Sequence, residues 1–316
     1  MQLLHLLLAV LLPLGFVASA EEVVPKRICE EKAALKCTLS DCTSLDACDV
    51  LMLKFAHIGS ERMAAVAKRL ATHETIDLLD LRDNTLGLEG ALALAEALRV
   101  NKFLRHLDLR YNQIGIEGLE AVIAAISDNP ASAISAMHMG ENSLGDDGAT
   151  IVAQFIANAS ATLKTMNLKA NGIGPAGTSA IADVLQQDSH LVELDLSSNM
   201  IGAEGAVALA AALETNTALK TLRIADKAVG DQGAIALAKA LRKNTKSALT
   251  ELHVAQCGIG KKGEDALAKV QRDRKDLEVM VARRQKAKIF FETHDLTDEP
   301  PEEFTGRKPK AQKQEL

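Results

Sequence analysis

The chain has no tryptophan, one tyrosine and seven phenylalanines in 316 residues. Hot spots of protein interfaces favour Trp, Tyr and Arg, so any binding face here has few aromatic anchors to draw on. A dominant charge is missing too: 36 Lys and Arg stand against 42 Asp and Glu, a formal net charge of −6. That is an ordinary soluble surface without the electrostatic footprint of a nucleic-acid-binding protein, and no nucleic-acid partner is expected. After Leu14 no apolar run reaches the ~20 residues that a bilayer crossing needs. His-Glu-x-x-His and Cys-x-x-Cys spacings are absent, and no Ser/His/Asp or Cys/His arrangement stands out. Scattered histidines remain past residue 20: His57, His73, His106, His138, His190, His253 and His294. Only His106, Asp108 and His138 could approach one another, and they are expected as surface groups of a binding face. The chain is therefore not expected to be an enzyme or to hold a metal or cofactor.

What the chain does have is a block of 28 to 30 residues that recurs along most of its length. It reads L-x-x-L-x-L-x-x-N-x-I/L-G-x-x-G, followed by an Ala/Leu-rich stretch. The clearest copy is Leu191, Leu194, Leu196, Asn199, Ile201, Gly202 and Gly205. Others start in phase at Ile76, Leu104, Ile134, Leu163, Leu219 and Leu249, and a degenerate one at Cys48 with Leu51, Leu53, Ile58 and Gly59. Eight units cover residues 48–275. A period of this length builds a solenoid. Within a unit, alternation predicts a strand with Leu194 and Leu196 inward and Glu193, Asp195 and Ser197 outward. Asn199 is placed to bond the turn and the adjacent unit. Ala206, Leu209, Ala210 and Leu213 form one apolar helical face. Strands about 4.8 Å apart and helices about 8–10 Å apart force a turn at every unit. The expected fold is α/β, a curved arc with parallel strands concave and helices convex.

This consensus resembles the ribonuclease-inhibitor subtype of leucine-rich repeats. The resemblance implies the fold and a protein partner, and some relatives regulate an enzyme. Ribonuclease binding is not implied, because the long two-type alternation and abundant cysteines of that inhibitor are absent.

The two ends carry other signals. Residues 1–20 read as a signal peptide, with Leu3 to Leu14 almost unbroken hydrocarbon and Ala18-Ser19-Ala20 as a cleavage site; no membrane insertion is expected after cleavage. The last four residues, Lys313, Gln314, Glu315 and Leu316, resemble a luminal retrieval signal and imply contact with the retrieval receptor. Together they place the chain in the endoplasmic reticulum lumen, with secretion as the alternative. Cys29, Cys37, Cys42 and Cys48 lie within 20 residues and permit two disulfides in any of three pairings. Residues 21–47 are expected as an N-terminal cap with a helix around Arg27–Lys36. Residues 276–291 are expected as a C-terminal cap in which Leu277, Val279 and Val281 form a last strand, and 292–316 as a disordered tail. Asn158-Ala159-Ser160 is a glycosylation sequon.

Two stretches, Gly172–Gly177 and Gly258–Gly263, fit G-x-G-x-x-G between a strand and a helix. The recurring turn accounts for two of the three glycines in each, so nucleotide binding is not expected. The outward strand positions form two rows: Met52, Asp80, Asp108, His138, Asn167, Asp195, Arg223, His253, and, two residues on, Lys54, Arg82, Arg110, Gly140, Lys169, Ser197, Ala225, Ala255. Acids beside bases make either a self-satisfied ladder or a docking strip. The candidate protein-binding residues are Phe55, Asp80, Arg82, Asp108, Arg110, Tyr111, His138, Lys169 and Asp195. Lys227 stands where Asn belongs, marking an irregularity or a contact point. The expected function is a monomeric, non-enzymatic interaction module that holds a protein on its concave face. The alternatives are a regulator of a secretory-pathway enzyme and a secreted recognition protein.

Overall fold

The computed structural model describes residues 27–30, 48–158, 162–187 and 190–281. Among them ten strands form one parallel sheet in chain order, each paired with the next. They are β1 (Ile28–Glu30), β2 (Val50–Met52), β3 (Leu78–Asp80), β4 (His106–Asp108), β5 (Ala136–His138), β6 (Thr165–Asn167), β7 (Glu193–Asp195), β8 (Thr221–Arg223), β9 (Glu251–His253) and β10 (Glu278–Met280). Eight helices alternate with them: α1 (Gly59–Leu70), α2 (Gly87–Leu98), α3 (Gly115–Asp128), α4 (Gly145–Asn158), α5 (Pro175–Leu185), α6 (Gly202–Leu213), α7 (Gly230–Lys243) and α8 (Lys261–Asp273). The architecture is the expected α/β leucine-rich-repeat solenoid.

The consensus slots explain the core. The first inward strand position holds Leu51, Leu79, Leu107, Met137, Met166, Leu194, Leu222 and Leu252, every one at 0% exposure. The second holds Leu53, Leu81, Leu109, Met139, Leu168, Leu196, Ile224 and Val254, again with no exposure. Two side chains per unit therefore stack into two continuous apolar columns, which no single unit could bury alone. The helices close the other side with the Ala/Leu stripe, as Ala206, Leu209, Ala210 and Leu213 do in α6.

Two polar ladders run parallel to these columns. The first is the consensus asparagine. Asn84, Asn112, Asn142, Asn171 and Asn199 are all buried. Each donates its amide to a carbonyl of its own turn and to one of the preceding unit; Asn199 Nδ2 reaches Leu196 O at 2.9 Å and Leu168 O at 3.0 Å. The second ladder lies at the helix C-termini and was not anticipated. Asn101, Asn129, Asn216 and Asn244 are buried and donate to the last helical carbonyl of the preceding unit, as Asn129 does to Leu98 O at 2.9 Å. These are the orphan carbonyls of a helix end, which need a partner when covered. Its sequence signal is an Asn three or five residues before the first consensus Leu or Ile. His73 begins this ladder: it is buried and its Nδ1 accepts from the N–H groups of Thr75 and Ile76 at 3.3 Å.

Where the ladders lapse, a substitute stands in. Lys227 is exposed, and Asp226 beside it accepts from Gly202 N at 2.7 Å and Ala228 N at 3.1 Å. In the last unit Cys257 replaces Asn. Its thiol donates to Ile224 O at 2.7 Å, and burial pushes its pKa up to about 11, consistent with a structural thiol.

The first strand corrects one expectation. Residues 28–30 are not the start of a helix; β1 pairs in parallel with β2. Two local ties hold it there. Cys29 is bonded to Cys48, a closure of 19 residues that removes roughly 3 kcal/mol of unfolded-chain entropy. Arg27 clamps Asp49 through Nη2 at 2.8 Å and Nε at 3.0 Å, which holds the Asp49 carboxyl well below the usual range. Cys37 and Cys42, the remainder of the 21–47 segment, the 1–20 segment, residues 282–291 of the C-terminal cap and the 292–316 segment lie outside the described residues.

Candidate functional site: the strand face and its rim

The register places the outward residues in straight rows. Met52, Asp80, Asp108, His138, Asn167, Asp195, Arg223 and His253 are successive pairing partners. The central acids and Asn167 have a local task. Asp80 Oδ1 accepts from Arg82 N at 3.1 Å, Asp108 Oδ1 from Arg110 N at 3.1 Å, Asn167 Oδ1 from Lys169 N at 2.9 Å, and Asp195 Oδ1 from Ser197 N at 2.8 Å. Each side chain satisfies the N–H two residues on, where the chain leaves the strand.

In the first half this row joins the next one. Arg82 presents Nε at 3.1 Å and Nη2 at 3.0 Å to Asp80, and Nε lies 3.4 Å from Asp108 Oδ2. Arg110 grips Asp108 through Nε at 3.0 Å and Nη2 at 2.7 Å. A Cβ at Gly140 would meet the Lys169 carbonyl oxygen at 3.0 Å and touch the Arg110 stem at an ordinary 3.5 Å, so glycine there suits the close approach of the next unit's backbone. Asp80 is 0% exposed, Arg82 3%, Asp108 4% and Arg110 8%. Of the two readings of these charges, the geometry is that of an internally satisfied ladder. His138 is half-buried at the end of it, and its Nδ1 is closed to solvent. Burial lowers its pKa; Asp108 opposes the shift, while Arg110, His106 and Arg82 add to it.

That shift has a consequence for stability. In the unfolded chain the imidazole titrates near its ordinary ~6.5, whereas in the fold it stays neutral to lower pH. Between those two values the unfolded state binds the extra proton, so stability falls on acidification, with ~1.4 kcal/mol per pH unit as the ceiling for one proton. Equilibrium denaturation between pH 7.5 and pH 5 is expected to show this loss, and His138→Gln to flatten it. An identical slope in the variant would remove His138 from the account.

The second half of the face is more open and less tightly paired. Lys169, Asp195, Arg223 and His253 are half-buried. Glu251 accepts from His253 Nε2 at 3.1 Å and lies 3.7 Å from Arg223 Nη2. Phe55 and Tyr111 sit at the rim just past β2 and β4, 40% and 43% exposed, both in the left-handed region at φ +59°. The candidate residues thus separate: Asp80, Arg82, Asp108 and Arg110 meet in the buried ladder with His138 at its end, whereas Phe55, Tyr111, Lys169 and Asp195 lie where a partner could touch them. Among the described residues no three His, Cys, Asp or Glu side chains converge as a metal site.

The two glycine loops prove to be occupied from within. Asp146 Oδ1 accepts from Gly174 N at 2.6 Å and Gly177 N at 2.9 Å. Asp231 Oδ1 does the same for Gly260 N and Gly263 N, each at 2.8 Å. The N–H groups that would cradle a phosphate at a helix start hold a carboxylate of the preceding unit instead. The sequence carries the sign: only the two units opening Gly145-Asp146 and Gly230-Asp231 precede a G-x-G-x-x-G loop. Asp146→Ala is expected to cost about 1–2 kcal/mol, the range of a lost helix cap. A calorimetric melt checks it, and an unchanged transition would discard the capping role.

A family model for the leucine-rich repeat matches residues 74–95, 100–122, 159–182, 187–210 and 246–268, so leucine-rich repeats are present. No curated protein matches the chain. Among solved structures, actin-binding site 2 of leiomodin-1 is similar at 17% identity and a TM-score of 0.42, over 60% of this chain and 96% of that one. The tropomodulin C-terminal domain from Caenorhabditis elegans is similar at 17% identity and a TM-score of 0.39, over 50% of this chain and 92% of that one. At this level of similarity neither neighbour bears on the partner or the site.

Proposed function

We propose that this stack of leucine-rich repeats is a protein-interaction module of the endoplasmic reticulum lumen. It docks a protein partner along the strand face, with Phe55 and Tyr111 as anchors and Lys169 and Asp195 as secondary contacts. The exposed aromatic pair carries this reading. Burying large apolar groups would be the ordinary use of two scarce aromatics. Here both are held outward on a rigid scaffold, as binding anchors require. A module suits the face better than a catalyst, because Asp80, Arg82, Asp108, Asp146 and Asp231 are all committed to structural bonds.

Luminal residence is supported by the apolar run from Leu3 to Leu14, the terminal Lys313-Gln314-Glu315-Leu316 and the Cys29–Cys48 bond, which belongs to an oxidising compartment. Asn158 ends α4 and is exposed, so its sequon is a glycan site in this reading. Deleting the last four residues should move the protein from the lumen to the medium. In extracts of the same cells, Phe55→Ala with Tyr111→Ala should lose a stoichiometric partner that the parent chain retains. Retention of every partner by the double variant would sink the docking face, whatever the localisation result.

A further inference from the structure

The rim has a pattern that the strand rows do not. The residues that follow the last rungs of β2, β3, β4 and β5 are Phe55, Asp83, Tyr111 and Glu141: aromatic, acid, aromatic, acid. All four lie in the left-handed region, at φ +59°, +52°, +59° and +58°. Each continues the sheet by one more hydrogen bond, Phe55 N to Arg82 O at 2.9 Å, Asp83 N to Arg110 O at 3.0 Å, Tyr111 N to Gly140 O at 3.1 Å and Glu141 N to Lys169 O at 3.0 Å. Neighbours in the row are therefore one strand spacing apart, about 4.8 Å, and the two rings about 10 Å apart. Phe55, Asp83 and Tyr111 are exposed and Glu141 is half-buried. In the next two units the position falls to Ala170 and Ser198, so the alternation is confined to the first four.

Aromatic faces set between carboxylates suit one chemistry. A guanidinium or ammonium packs over a ring and pairs with the acid at its side. An occupant must then bring several cations along an extended backbone. This chain supplies one in Arg307-Lys308-Pro309-Lys310-Ala311-Gln312-Lys313, four cations in seven residues. Extended, at about 3.3 Å per residue, Lys308 to Lys310 spans ~6.6 Å and Lys310 to Lys313 ~10 Å, comparable with the row's own spacings. Reach is ample. The 26 peptide steps from Val281 to Arg307 span up to ~86 Å, whereas the eight strand spacings from β10 back to β2 amount to ~38 Å.

We propose that the rim Phe55–Asp83–Tyr111–Glu141 is a docking row for a basic segment, and that its resident occupant is Arg307–Lys313 of the same chain. The inference rests on the reading of this rim as a docking surface, and adds which chemistry it takes and what covers it until a partner displaces the segment.

Tyr111 is the sole tyrosine and the chain has no tryptophan, so intrinsic fluorescence reports on this row alone. Acrylamide quenching of the full chain is the test. The set R307E/K308E/K310E/K313E should raise the quenching constant about twofold, since a charge-paired cover over the ring is lost. D83K/E141K should raise it equally, and the two sets combined should restore protection by exchanging the signs. Equal quenching in all four proteins would overturn the proposal. Protection that grows with protein concentration would overturn the intramolecular occupant in favour of a second copy. Failure of the earlier reading looks different: quenching then responds to the charge changes while the Phe55 and Tyr111 variant keeps every partner. The reverse result, partner loss without any response in quenching, would leave the docking face standing and remove its resident occupant.

Discussion

Replacing Asn112 with alanine is expected to lower the unfolding free energy by about 3–5 kcal/mol, the upper end of single-residue effects. The side chain is 0% exposed and serves five backbone groups. Its Nδ2 donates to Leu81 O at 2.8 Å, Leu109 O at 3.0 Å and Arg110 O at 3.1 Å. Its Oδ1 accepts from Asn84 N at 3.0 Å and Leu86 N at 3.4 Å. Alanine leaves these groups buried without those bonds, at about 1–3 kcal/mol for each one that cannot relax or reach water. Because three of the partners, Leu81, Asn84 and Leu86, belong to the preceding unit, the loss weakens a unit–unit contact, on which a solenoid's stability depends. Urea unfolding of the two proteins measures it. The control is Cys257→Ala, which removes a single thiol donor and should cost clearly less. A loss below about 1 kcal/mol at Asn112 would mean that water replaces the amide and that the ladder is dispensable.

Arg82→Met is the second large effect, again expected at about 3–5 kcal/mol, because it strips the cation from buried carboxylates. Asp80 is 0% and Arg82 3% exposed, so solvent screening does little to soften the loss. Neutralising the orphaned acid as well should recover much of it. In Asp80→Asn with Arg82→Met, the amide oxygen can still accept from the N–H of residue 82, while Asp108 keeps Arg110 at 2.7 Å. The comparison is a thermodynamic cycle over the two single variants and the double variant. If the double variant is as unstable as Arg82→Met alone, burial of an unpaired charge is the wrong explanation, and lost packing of the Arg82 stem takes its place.

The legible part of this protein was everything that repeats. Leu194 and Leu196 in one unit predict Leu222 and Ile224 in the next, and the apolar columns follow without knowledge of any contact. Asn199 and its counterparts were legible too, since a polar residue fixed amid apolar slots must serve backbone groups. Other features were written in the sequence but without a period strong enough to notice. The second Asn ladder shifts between three and five residues from the consensus Leu because unit length varies. The link between Asp146 or Asp231 and the glycine loop that follows lies across a unit boundary, where a motif confined to one unit does not look. Residues 28–30, at the start of the helix expected around Arg27–Lys36, form a strand instead, because local propensity competes there with a disulfide and the Arg27–Asp49 clamp, and those longer-range ties favour pairing with β2.

Period alone determined the fold, the number of units, the inward residues and the rows that face out, because parallel pairing at constant register carries one unit's pattern to the next. Side-chain availability needed the tertiary structure. Arg82 and Arg110 read as the anchors of a docking strip as well as they read as a ladder; only the distances to Asp80 and Asp108 show where their hydrogen bonds go. Phe55, Asp83, Tyr111 and Glu141 are 28 to 30 residues apart in the chain, and nothing in their flanks marks them as a row. They become neighbours because a left-handed residue just past each of these four strands turns its side chain outward, and stacking sets the rungs about 4.8 Å apart.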